Sequence, residues 1–196
     1  MQEALKRIPQ VITEPVAAFQ ALRERPAILV SIVLYLISDA ALSLVSYEFD
    51  PSGWMGFPDA TEPISVEPSW TVRGAILNLI GIVIGVALIR LAGKLLGGSG
   101  TFQGLFTTSA FALVPTVLQA PAYLLSTALG ASDVDMVSYT AVMIWSLVLG
   151  VLAIRETERV STGRAVGILV LAIGVPFGAL VLLGVIVGVA LAPFLG

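Results

Sequence analysis

The chain contains no cysteine and no histidine. The first absence excludes disulfides and thiolate metal sites. The second removes the commonest general base and the commonest metal ligand. Enzyme chemistry would therefore fall to carboxylates, lysine or hydroxyls. Charge is scarce as well: 12% of the 196 residues are charged, where a soluble domain carries about 25%. What the chain has in quantity is apolar surface, with 57% hydrophobic residues and a mean hydropathy of +0.99. A soluble protein of this size could not hide so much in one core. The lipid bilayer is the expected solvent and first partner; no cofactor, metal or nucleic acid is expected.

A helix needs about 20 apolar residues to cross the hydrocarbon core. Five runs approach that length, over residues 27–47, 72–92, 105–127, 136–154 and 165–191. The fold class expected is all-α: a polytopic bundle of five transmembrane helices over 27–196, preceded by a short segment, 1–26. That segment reads as an interfacial amphipathic helix, with Val16, Phe19 and Leu22 on one side and Gln20, Arg23 and Glu24 elsewhere. Its first apolar run begins only after Pro26, unlike a cleaved secretory signal. Its plain role is to lie on the inner leaflet, and docking a partner is the alternative. Pro176 predicts a bend in the fifth helix and Pro115 and Pro121 bends in the third; a break into two half-helices between Pro115 and Pro121 is the alternative.

The connections alternate in charge. Lys6, Arg7, Arg23, Arg25, Arg90, Lys94, Arg155, Arg159 and Arg164 fall on one side of the five spans. The other side has only Arg73, with Glu48, Asp50, Asp59, Glu62, Glu67, Asp133 and Asp135. The positive-inside rule makes the first side cytoplasmic, with the N-terminus there and the C-terminus external in a multi-pass protein of the cell membrane. The acidic, proline-rich outer loop between the first two spans reads as a solvated connection, anchored by Trp54 and Trp70. A cation-collecting or partner-binding lid is the alternative.

The stretch "GKLLGGSGTF", residues 93–102, has four glycines and a lysine. A phosphate-binding loop would need G-x-x-x-x-G-K-[ST] after a strand, but here Lys94 precedes the glycine cluster. The dinucleotide pattern G-x-G-x-x-G fails too, because Gln103 occupies the third glycine's place after Gly98 and Gly100. The stretch is better read as a tight hairpin between two helices. Gly97 and Gly98 would cap one, Ser99 or Thr101 would start the next, Lys94 would reach the headgroups, and Phe102 would open the second helix.

Asp39 lies near the middle of the first span. A central aspartate costs about 2.5–3.5 kcal/mol on insertion scales, so it should face the bundle interior with a partner. Asn78 and Gln119 fall at a similar depth, roughly 9–12 Å from the outer ends of the second and third helices at about 1.5 Å per residue. The layer reads either as an interhelical hydrogen-bond clamp or as a small hydrated cavity with Asp39 as a cation or proton site. On the second helix Gly74, Asn78, Gly81 and Gly85 share a face, and Gly174 with Gly178 and Gly184 with Gly188 repeat the spacing on the fifth. Such faces let another backbone approach closely; helices of the same chain are the expected partners, with a homodimer as the alternative.

"GKLLGGSGTFQGLFTTSAFALVPTVL" resembles the signature region of the Yip/Yif-type membrane domain: a lysine-containing helix end, a glycine-rich turn, a Thr/Ser-Phe helix start, then a small and aromatic stretch ending in proline. "EPVAAFQALRERPAILV" and "IWSLVLGVLAIRETERVSTGRAVGILVLAI" are similar to the beginning and the late part of that family. The resemblance implies five transmembrane helices and an exposed cytoplasmic N-terminus. It also implies association of eukaryotic members with Rab-type small GTPases and vesicle traffic, and carries no catalytic residues over. The short N-terminal region is closer to a prokaryotic relative. The expected function is a non-enzymatic membrane scaffold or adaptor acting through the N-terminal segment and the hairpin, by membrane or cytoplasmic protein partners. The alternative is a small transporter, channel or lipid-handling protein using the Asp39 layer.

Overall fold

The computed structural model describes residues 2–46, 72–130 and 132–195, and side chains at 2–42, 72–130, 134 and 136–187. The outer loop with Trp54 and Trp70, the side chains of Asp133 and Asp135, and Gly188 lie outside the described residues. Those described form helices and turns, with no strand among them. Three short helices, α1 (Gln2–Leu5), α2 (Arg7–Thr13) and α3 (Pro15–Glu24), lead into α4 (Ile28–Ser46). Next come α5 (Val72–Leu95), α6 (Phe102–Ala112), a 3-10 turn (Val114–Leu118), α7 (Gln119–Leu129), α8 (Ser132–Glu158) and α9 (Thr162–Leu195).

Four helical stretches are long and apolar enough to cross a membrane: Val72–Leu95, Phe102–Leu129, Met136–Glu158 and Thr162–Val187. They carry large apolar side chains on their outer faces, among them Leu77, Ile80, Leu124, Val137, Ile144, Phe177 and Leu183. In water such a surface would aggregate, whereas in lipid it is solvated. The chain is therefore a multi-pass membrane protein. The apolar stretch Ile28–Leu42 of α4 is shorter.

The third apolar run is interrupted, as the half-helix alternative has it. Helix α6 stops at Ala112 and one 3-10 turn precedes α7. Pro115 lacks an N–H and sits in that turn, while Pro121 falls in the first turn of α7, where a missing donor costs nothing. The carbonyl of Leu113 accepts from the Thr116 amide (2.9 Å), the Thr116 hydroxyl (2.6 Å) and the Ser38 hydroxyl on α4 (3.4 Å). Side-chain hydroxyls thus replace part of the lost ladder, which is what lets a helix break persist away from water. Helix α9, by contrast, runs through Pro176 unbroken.

Packing is dense at one end. Phe19, Leu105, Phe111, Leu149, Ile154 and Ile168 are all fully enclosed there. The N-terminal helices take part: α3 lies against α6 and α8, and its Ala18, Phe19 and Leu22 are buried while Val16 is exposed. Of the side chains expected on the apolar side of this segment, Phe19 and Leu22 thus pack on the bundle. Helix α4 is stitched to α6 by Thr107, whose hydroxyl accepts from the Ala27 amide (3.2 Å), and by Tyr35, whose hydroxyl donates to the Phe106 carbonyl (3.2 Å).

Candidate functional site

The hairpin end of the bundle is built around one tetrapeptide, Arg155-Glu156-Thr157-Glu158, the last turn of α8. Helix α8 ends there because Arg159 turns left-handed, at φ 57°, and the Val160 amide returns to the Arg155 carbonyl (3.2 Å). Each residue of the tetrapeptide then reaches a different element.

Glu158 is completely enclosed. One carboxylate oxygen, Oε2, accepts from Arg90 Nη1 on α5 (2.8 Å) and from the Gly100 amide in the hairpin (2.9 Å). Its backbone carbonyl accepts from the Ser99 amide (3.0 Å), which satisfies one of the orphan groups at the end of α8. The other carboxylate oxygen, Oε1, is buried without a hydrogen-bond partner.

The glycines of the hairpin make this approach possible. Gly97 has a positive φ of 81° and ends α5, with Gly98 N bonded to Gly93 O (2.7 Å) and Gly97 N to Lys94 O (3.3 Å). That pairing is the Schellman arrangement. Gly93, Gly98 and Gly100 are needed for a different reason. A Cβ at Gly93 would lie 2.7 Å from Glu158 Cδ and Oε1, and one at Gly100 would lie 2.7 Å from the Thr157 carbonyl oxygen. A Cβ at Gly98 would collide with Glu158 Oε2. Thr101 then caps α6, its hydroxyl accepting from the Gly104 amide (3.1 Å).

Thr157 and Thr108 share a buried hydroxyl–hydroxyl bond of 2.9 Å, which ties α8 to α6. Glu156 reaches the N-terminal segment: its carboxylate accepts from Gln20 (2.9 Å), and its carbonyl accepts from Arg23 Nη1 (2.5 Å). Arg155 neutralises Glu156 at 2.7 Å and donates weakly to Thr162 at the start of α9 (3.4 Å). In chemical terms the turn of α8 neutralises a buried cation, satisfies loop amides and fixes α3, α5, α6 and α9 to one another.

Of the residues singled out from sequence, the hairpin set converges here. Lys94 and Phe102 are exposed, and Phe102 stacks on Phe106 (ring centroids 6.2 Å apart), which meets Tyr35 edge-on (5.1 Å). The polar layer divides. Asn78 Nδ2 donates to Asp39 Oδ1 at 2.7 Å. Gln119 turns instead to the carbonyl of Tyr139 on α8 (3.4 Å), and its own Oε1 is buried without a partner. At the packing glycines, a Cβ at Gly81, Gly85, Gly174, Gly178 or Gly184 would meet nothing within 4 Å, while Gly74 is buried. Their spacing reflects one face of a helix, and among the described residues no helix fills it.

Sequence reasoning passed over Glu158, Glu156 and Arg90 as site residues. One signal could have found them. A helix end needs a single left-handed glycine, so three more within eight residues call for a close neighbour.

A family model described as the Yip1 domain matches residues 10–193. No curated protein and no solved structure gives a significant match.

Proposed function

The chain belongs to the Yip1 domain family, and from that premise we propose that it is a non-enzymatic membrane scaffold or adaptor of the cell membrane, with a role in membrane organisation or trafficking. The observation that carries this reading is the tetrapeptide Arg155–Glu158. It fixes the N-terminal helices and the hairpin into one rigid face, and a preorganised face lowers the cost of binding a partner. On the N-terminal helices Leu5, Ile12 and Val16 stay exposed, available to a protein.

In this reading α4 is a fifth span. Its 19 residues reach about 28 Å at about 1.5 Å per residue, close to the roughly 30 Å of hydrocarbon. The N-terminus is cytoplasmic and the C-terminus external, supported by the gathering of Arg23, Arg90, Arg155 and Glu158 contacts at one end of the bundle and by the positive-inside rule.

The test is a photo-crosslinking amino acid placed at Ile12 or Val16 in native membranes. A discrete protein adduct that disappears when Phe19→Ala undocks α3 supports the adaptor. Lipid adducts alone would refute it. The transport reading draws on the Asp39–Asn78 pair, and proton or cation flux in liposomes that is lost in Asp39→Asn would favour it instead.

A further inference from the structure

The N-terminal helices enclose a charged hollow. Glu3, Arg7, Glu24 and Arg25 line a cavity of about 210 Å³ over the buried side chains of Ala4 and Leu22. That is below the roughly 300–1,000 Å³ of sites for drug-sized ligands, so a small group fits it.

The charges around the hollow are only partly matched. Glu3 pairs with Lys6 at 3.1 Å, but both side chains are largely exposed, and water weakens such a pair. Glu24 stands 3.9 Å from Arg23, the far limit of an ion pair. Arg7 donates to the neutral Gln10 (2.5 Å), and among the described residues neither Arg7 nor Arg25 forms an ion pair. Lys6 holds the Glu3 carboxyl below its ordinary range, and Arg7 and Arg25 add to the effect, so both guanidiniums stand near that carboxylate. The hollow thus offers two unpaired guanidiniums to an anion. To a cation it offers one carboxylate from α1 and one from α3.

Its place in the chain points to the source of such a ligand. Helix α4 starts three residues after Arg25, and its Ile28 and Leu29 begin an exposed apolar surface. With α4 as a span, the hollow lies at the level of the lipid headgroups, at the edge of the hydrocarbon. A headgroup with one phosphate and one ammonium matches all four charges, and each contact is a charge-assisted hydrogen bond. A choline headgroup has no N–H to give Glu24, and a glycerol headgroup leaves both carboxylates without a cation.

We propose that the hollow binds the phosphoethanolamine headgroup of a membrane lipid, the phosphate held by Arg7 and Arg25 and the ammonium by Glu3 and Glu24. The assignment rests on the reading of α4 as a span, since only then does the hollow meet headgroups.

The experiment reconstitutes the full chain into vesicles of phosphatidylcholine, phosphatidylethanolamine and phosphatidylglycerol in equal parts. Probes of each lipid, spin-labelled on the acyl chain, read which one is retained at the protein. The wild type retains the ethanolamine lipid several-fold over the other two. Arg7→Gln/Arg25→Gln brings the three to parity. Glu3→Gln/Glu24→Gln turns the selection toward the glycerol lipid, a change that a merely structural role would not produce. Should that variant prove unfolded, Glu24→Gln alone, at an exposed position, shows the same direction. Lys94→Gln/Arg164→Gln, which removes two exposed cations outside the hollow, keeps the preference for the ethanolamine lipid. Absence of that preference in the wild type, or its equal loss in the last variant, overturns the proposal. So does full displacement by water-soluble glycerophosphoethanolamine, which would make the ligand a solute and not a lipid. A nitroxide on Leu29→Cys, the sole cysteine of that variant, separates the two readings. Stronger collision with oxygen than with a water-soluble nickel complex puts α4 in lipid, so that a missing preference then overturns this proposal alone. The reverse order overturns the span and the proposal with it.

Discussion

Glu158 and Arg90 stand 68 positions apart in the chain and meet at 2.8 Å, the carboxylate fully enclosed and the guanidinium nearly so. Taking both charges out of water is expensive, and the pair is sustained by the second donor, the Gly100 amide at 2.9 Å. Removing one partner leaves the other uncompensated. Glu158→Gln or Arg90→Gln is expected to cost about 3 kcal/mol, the low end for a broken buried pair because Arg90 keeps some solvent. The double variant Arg90→Met/Glu158→Met should cost less than the two single changes together. Denaturant titration of all four proteins in micelles gives the coupling, and strict additivity would mean that the pair is not an energetic unit.

The glycines around that carboxylate give a sharper test. Gly100→Ala places a methyl against a backbone carbonyl that has no rotamer to yield. Overpacking of this kind costs about 1–3 kcal/mol. Gly81→Ala and Gly178→Ala sit on helix faces with nothing within 4 Å, where the higher helix propensity of alanine adds about 0.5–1 kcal/mol of stability. Opposite signs at glycines in one protein, measured in the same titration, would separate close approach from helix propensity. Destabilisation at all three positions would contradict the geometry.

The helices and the hairpin were legible in the sequence because each is announced locally. Apolar length marks the membrane-crossing stretches, and Gly97 and Thr101 mark where α5 stops and α6 starts. The break after Ala112 was visible as Pro115 and Pro121, with the choice between a bend and a break left open. The site was less legible because its contacts are long-range. "RETE" reads as a solvated turn until Arg90 and the hairpin close over it, and nothing local records a partner so far along the chain. The same holds for Gln119: depth alone groups it with Asp39 and Asn78, yet the rotation of α7 presents it to Tyr139.

Helix α3 should fall away from the bundle when its anchor is shortened. Phe19 is fully enclosed between α6 and α8, and truncating a buried phenylalanine costs about 3–5 kcal/mol. Ala18, Leu22 and the bonds of Gln20 and Arg23 to Glu156 would then be what holds α3. In Phe19→Ala, amide exchange over residues 15–24 is expected to accelerate while residues 102–112 stay protected. Uniform acceleration would mean that α3 is part of the global folding unit.

The Asp39–Asn78 bond predicts an asymmetry between two substitutions. Asn78→Leu leaves the aspartate without its 2.7 Å donor, whereas Asp39→Asn leaves an amide that still accepts from Asn78. Interhelical bonds of this type contribute about 0.6–2 kcal/mol, so Asn78→Leu should lower folded yield and Asp39→Asn should not. If Asp39→Asn changes neither yield nor ion flux in liposomes while Asn78→Leu lowers yield, the pair is a clamp and not a conduit.

Arg159 is the residue where the chain accepts strain to close the site. Its φ of 57° is left-handed, a conformation that costs a side-chain-bearing residue roughly 1–2 kcal/mol and glycine almost nothing. The turn needs that conformation, since it returns the Val160 amide to Arg155 and frees the Glu158 carbonyl for Ser99. Arg159→Gly is therefore expected to raise stability by about 1 kcal/mol, less whatever the glycine loses in the unfolded chain. Denaturant titration in micelles checks it, and a stability equal to or below that of the wild type would mean that the left-handed turn stores no strain at Arg159.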